Sequence, residues 1–137
     1  MKALELSEAF RAAFEADAAF AGVACLNDLG DTTITLPCLV FRVDDKPLNS
    51  DGTALTFALS VWAETSADGT TPREAHAELV ALVRTKLHGT GKAALLVELN
   101  AAEEFDWRGW NAADGAPGLQ ANHFRTSICA TGTVLVL

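Results

Sequence analysis

The sequence predicts an α+β fold in which two helices pack on one face of a mostly antiparallel four- to five-stranded sheet. Two patterns and an element order carry that prediction. From Ala54 to Glu64 the residues Leu55, Phe57, Leu59, Val61 and Ala63 share one parity, and Thr56, Ala58, Ser60, Trp62 and Glu64 share the other. A period of two marks a sheet with one buried face. From Thr71 onward the period becomes helical, with Ala75, Leu79, Leu82, Val83 and Leu87 forming an apolar stripe. The elements run helix, two strands, helix, three strands, and two helices on one side of a sheet bury both apolar faces economically.

Each element has its own justification. Leu6, Phe10, Ala13 and Phe14 recur at helical spacing, which predicts a first helix over residues 5–18. Asp17 to Asp31 is a transition, with turn chemistry at Asn27, Asp28, Gly30 and Asp31. Pro37 introduces a strand over Cys38–Val43, since proline at a strand entrance withholds only one ladder donor. Asp44 to Thr53 reads as a polar hairpin loop leading into the Ala54–Glu64 strand. Thr71-Pro72-Arg73-Glu74 predicts a capped helix start, and Lys86, His88 and Gly89 predict its end. Ala93 to Asn100 alternates and predicts a third strand, and Glu103 to Trp110 predicts a fourth. Asn111 to Asn122, with Asp114, Gly115, Pro117 and Gly118, reads as a mobile loop. A final strand runs from Phe124 to Leu137, with a bulge or bend at Gly132.

The chain has 137 residues, 50% of them hydrophobic and 20% charged, which suits one domain over residues 1–137. The net charge of −8 repels phosphate backbones and argues against sequence-specific nucleic-acid binding. Cys25, Cys38 and Cys129 are odd in number and form no CxxC, so neither a disulfide framework nor a thiolate zinc site is expected. Met1 to Asp17 interleaves charge with apolar residues and carries no run of secretory or membrane-spanning length, so a cytosolic setting without a membrane is the expectation.

The search for chemistry gives little. Gly89-Thr90-Gly91-Lys92 resembles the end of a phosphate loop, but Lys86 stands where the first glycine belongs and Ala93 where the hydroxyl belongs. His76 and His88 are twelve residues apart on one helix and read as solvent-facing. No serine lies in a GxSxG elbow. Glu103, Glu104 and Asp106 read as a polar strand face rather than a hydrolase pair, and an enzyme using His123 with Asp106 or Glu104 is the weakest reading. No catalytic residue, cofactor or metal is expected. The informative residue is Trp62, a large aromatic on the parity facing away from the helices, with Arg42, Ser60, Glu64, Glu98 and Arg125 beside it. Such an indole calls for a covering partner or for shielding by residues 105–123 of its own chain. Trp107 and Trp110 join Trp62, Arg42, Ser60, Glu64 and Arg125 as candidate interface residues. Alternatively, those two tryptophans line a pocket between the sheet and residues 101–123, in a small ligand-binding or regulatory module.

Taken in order, these segments resemble the tail terminator, or tail-completion, proteins of long-tailed bacteriophages and prophages. The resemblance lies in the Ala-rich opening helix (Ala12, Ala13, Ala16, Ala18, Ala19), Leu36-Pro37-Cys38-Leu39-Val40-Phe41, and the strand ending in Leu59-Ser60-Val61-Trp62-Ala63. The helix Glu74–Leu87 and the strand from Phe124 complete it, and residues 101–123 depart from it. The resemblance implies a structural, non-catalytic subunit without a cofactor. Such subunits form a ring, commonly a hexamer, that caps the tail tube, ends its polymerisation and meets the head connector. It implies as partners further copies of the chain, the tail-tube protein and the head-connector protein, in the host cytoplasm during assembly and then in the virion tail. The 44–53 and 111–122 loops become candidate tube contacts, and the acidic balance suits a lumen that passes DNA.

Overall fold

The computed structural model describes residues 2–28, 34–120 and 122–137. The expected turn residues Gly30 and Asp31 lie outside them. The fold is α+β. Its elements are α1 (Ala3–Glu15), a 3-10 turn (Ala18–Phe20), β1 (Ala24–Asn27), β2 (Cys38–Pro47), β3 (Ala54–Ser66), α2 (Pro72–His88), α3 (Lys92–Ala101), β4 (Phe105–Gln120) and β5 (His123–Val136). The strands form one mixed sheet in the order β1-β2-β3-β5-β4. β1 joins β2 in parallel, and the other pairings are antiparallel.

Three helices, not two, pack on one face. The buried side of the sheet carries Leu39, Phe41 and Val43 of β2, then Leu55 through Ala63 at odd positions of β3, then Ile128, Ala130 and Val134 of β5. Against it lie Leu6, Phe10 and Phe14 of α1, Leu79, Val80, Val83 and Leu87 of α2, and Leu95 and Leu99 of α3. The α2 stripe is turned by one position from the expected one: Val80 is buried, whereas Ala75 and Leu82 are exposed. Pro72 occupies the first helical turn as expected, but the Thr71 side chain makes no capping bond.

The expected strand at Ala93–Asn100 is the helix α3. The run Ala93-Ala94-Leu95-Leu96-Val97 is apolar on every side, so alternation and helical spacing both fit it. Burial decides: only Leu95 and Leu99 are buried, four positions apart, while Ala93 and Val97 face outward. Ala, Leu, Lys and Glu are strong helix formers and tip the balance. The expected loop at Asn111–Asn122 is largely strand. β4 continues through it to Gln120, paired with β5, with register shifts at Trp107/Trp110 and Asp114/Pro117. Its glycines, Asn111 and Asp114 therefore serve an irregular strand instead of a free loop.

Trp107 and Trp110 are core residues, 2% and 5% exposed. Phe10 meets them edge-on with ring centroids at 5.1 and 5.5 Å, and Trp110 Nε1 donates to Leu87 O at 2.8 Å. Indoles packed this way offer no surface to a partner, which corrects the interface expectation for them. Gly132 is needed for close approach, not for a bend in its own strand. A Cβ there would stand 2.6 Å from Gly109 O, where β4 bulges toward it.

Candidate functional site

The face of the sheet that carries no helix is the first candidate. Register places Val40, Trp62 and Ser127 in one row across β2, β3 and β5. Arg42, Ser60 and Cys129 form the next, then Asp44, Ala58 and Thr131, and then Lys46, Thr56 and Thr133. Cys38, Glu64 and Arg125 form the row on the other side of Trp62. Glu98 does not belong to this face, because it lies on α3. On these three strands the face holds three cations (Arg42, Lys46, Arg125) and two carboxylates (Asp44, Glu64). In a chain of net charge −8, the part of the helix-free face on these three strands therefore carries no excess negative charge.

Trp62 is half-buried. The Arg125 guanidinium lies over it, 4.6 Å from the ring centroid. An arginine over an indole contributes about 0.5–1 kcal/mol at exposed sites. The same arginine reaches the carboxylate of Glu64, Nε to Oε1 at 3.4 Å. Glu64 is 1% exposed. His123 Nε2 lies 3.2 Å from its Oε1, and the Cys38 thiol donates to Oε2 at 3.7 Å. A buried carboxylate persists only when paired and hydrogen-bonded, and this cluster supplies both conditions. Burial pushes the Cys38 thiol up to about 12, so it stays protonated and able to donate.

The histidines of α2 are not solvent-facing. His76 is half-buried, with Nδ1 2.8 Å from Thr65 Oγ1 and Nε2 2.7 Å from Thr126 Oγ1. It ties α2 to β3 and β5, and burial pulls its pKa below the usual histidine value. His88 is also half-buried, and its ring nitrogens make no hydrogen bond. Neither ring is presented as a base. Among the described residues no group of three or more His, Cys, Asp and Glu side chains is placed to hold a metal ion. Among them also, no helix is long and apolar enough to cross a membrane.

The second candidate is the free edge of β4. Its first half is occupied by α3. Asn100 accepts from Trp107 N at 2.8 Å and donates to Trp107 O at 3.1 Å, and Lys92 Nζ donates to Trp110 O at 2.7 Å. Side chains thus stand in for a neighbouring strand there, a direct way to blunt an edge. In the second half Asn111, Ala112, Ala113 and Asp114 are exposed, and Asp114 is held by Arg84 at 3.0 Å.

A third feature is a groove of 340 Å³ between α2 and the β4–β5 hairpin. Arg73 and Arg84 stand along it, and Val80, Pro117 and Phe124 line it. Sequence reasoning passed over it, although Arg73, Ala77, Val80 and Arg84 recur at helical spacing. That signal was readable as a second stripe on α2, but the strand character of 115–118 that makes the opposite wall was not.

Of the residues named from sequence, Trp62, Arg42, Ser60, Glu64 and Arg125 share the helix-free face. Trp107 and Trp110 are separated from it by the sheet itself. No protein-family model matches the chain, and no curated protein matches it.

Proposed function

We propose that the chain is a structural subunit of a phage-type tail. It forms a ring that caps the tail tube, ends its polymerisation and joins it to the head connector, turning its helix-free sheet face toward a neighbouring molecule. The observation that carries the reading is that face. Among the described residues, three helices cover one side of the sheet and none covers the other. On the bare side Trp62 is stacked by an arginine that is itself paired with a buried carboxylate. Ordering an aromatic anchor before contact lowers the entropy cost of association. The charge balance of the face supports the same reading, since copies of a strongly acidic protein repel one another except where carboxylates are not in excess. The tail-terminator resemblance of the segments that carry α1, β2, β3, α2 and β5 favours the same reading.

The experiment is a tube-length assay. Tail-tube protein from the same genome is polymerised with and without the chain, and lengths are read by electron microscopy. A capping subunit shortens the tubes in proportion to its amount and sits at one end. Tubes of unchanged length with unoccupied ends would overturn the reading.

A further inference from the structure

The β2–β3 turn and the α2 groove are complementary, and they lie at opposite ends of one sheet. At the turn, Leu48 is 56% exposed. The turn is ordered by its own polar groups. Asn49 Oδ1 accepts from Thr53 N at 3.0 Å, and Asp51 Oδ1 accepts from the Thr53 hydroxyl at 2.8 Å. The bonds from the Thr53 hydroxyl and backbone N–H hold the Asp51 carboxyl below its usual pKa. The turn therefore presents one apolar side chain and one carboxylate on a pre-ordered frame.

The groove presents the matching pair. Its floor is Val80, Phe124 and Pro117. Arg73 lies at one end, with its guanidinium 5.5 Å from the Phe124 ring and no carboxylate partner among the described residues. In a chain with 18 carboxylates and 10 cations, Arg73 is an exposed cation with no ion-pair partner among the described residues. A larger groove of 490 Å³ also flanks α2, but Asp68 and Glu78 line it and no lysine or arginine does, so it repels Asp51. Charge selects the Arg73 groove.

The two features cannot meet within one copy. The turn precedes Ala54, and the groove lies beside Phe124 and Thr126, which pair with Thr65 and Ala63 at the far end of β3. Eleven residues of strand separate them, about 35 Å at the usual rise.

We infer that the groove receives the β2–β3 turn of a second copy, with Leu48 on the Phe124–Val80–Pro117 floor and the Asp51 carboxylate against Arg73. The inference rests on the self-assembly proposed above and names one of its contacts. Because the contact joins two different surfaces, it propagates head to tail and closes into a ring when the rotation between neighbours allows. It assigns the turn to the ring itself rather than to the tube.

The test uses two full-length variants, Leu48→Asp in the turn and Arg73→Glu in the groove, with mass read by light scattering after gel filtration. Each variant alone should associate at least tenfold more weakly than the wild-type chain. Mixed in equal amounts, they should form a two-subunit complex, because the intact turn of one meets the intact groove of the other. Complementation also shows that both variants are folded. If the wild-type chain assembles and either variant assembles as well as it does, this contact is wrong while the ring reading stands. A mixture that stays monomeric, with both variants keeping wild-type circular dichroism and unfolding midpoints, overturns it equally. A wild-type chain that never associates removes both readings.

Discussion

At the scale of single residues, the helix-free face is organised around a buried negative charge. Glu64 belongs to the parity that the sequence assigned away from the helices, and an exposed carboxylate was the natural expectation there. Burial of Glu64 came from what its neighbours across the strands are: Cys38 on one side, Arg125 on the other, His123 nearby. None of those adjacencies can be read from spacing, because they depend on register between strands, with Glu64 and Arg125 61 residues apart. The face shared by Trp62, Ser60, Arg42 and Arg125 was legible, because parity within a strand is local. The stacking of Arg125 on Trp62 was not. The cluster has an energetic consequence. Arg125→Leu leaves Glu64 buried with His123 and Cys38 only, and should lower the unfolding free energy by about 3 kcal/mol. Replacing Glu64 and Arg125 together by leucine should cost less than Arg125→Leu alone, because no charge is then stranded. Urea unfolding of the single and double variants reads the comparison directly, and an additive double variant would contradict it.

At the scale of elements, β3 and α2 were legible because each follows one clean period over more than ten residues. α3 and the outer half of β4 were not. The α3 segment is apolar all round, so its period is ambiguous and its outward Ala93 and Val97 look like core residues in either reading. The outer half of β4 is rich in glycine, proline and asparagine, which signal a loop unless a partner strand supplies the ladder. β5 supplies it, with an irregularity between Asp114 and Pro117. β1 is only four residues long and joins in parallel, so it left no local signal either. The two misread elements meet at one residue. Asn100 of α3 makes two hydrogen bonds to the edge backbone at Trp107, doing there what a sixth strand would do. Asn100→Ala should therefore cost about 2 kcal/mol, through two lost bonds and two unsatisfied backbone groups. The denaturant midpoint should fall with an unchanged m-value, and an unchanged midpoint would remove Asn100 from this role.

At the scale of the whole molecule, the asymmetry of the sheet is the feature that demands an explanation. One face supports three helices and a continuous aromatic core. The other carries small and polar residues, a balanced set of charges and one arginine-stacked indole, on a protein whose other surfaces are strongly acidic. A polar face open to water is ordinary for an antiparallel sheet, so the proposed assembly rests on the indole and the charge balance of that face. Assembly of the chain with itself is accordingly the central claim. The mass of the full-length protein, measured by light scattering after gel filtration from submicromolar to millimolar concentration, tests it most directly. The account predicts a closed species of fixed subunit number that persists on dilution and stops growing on concentration. A single-subunit mass across the whole range would contradict it.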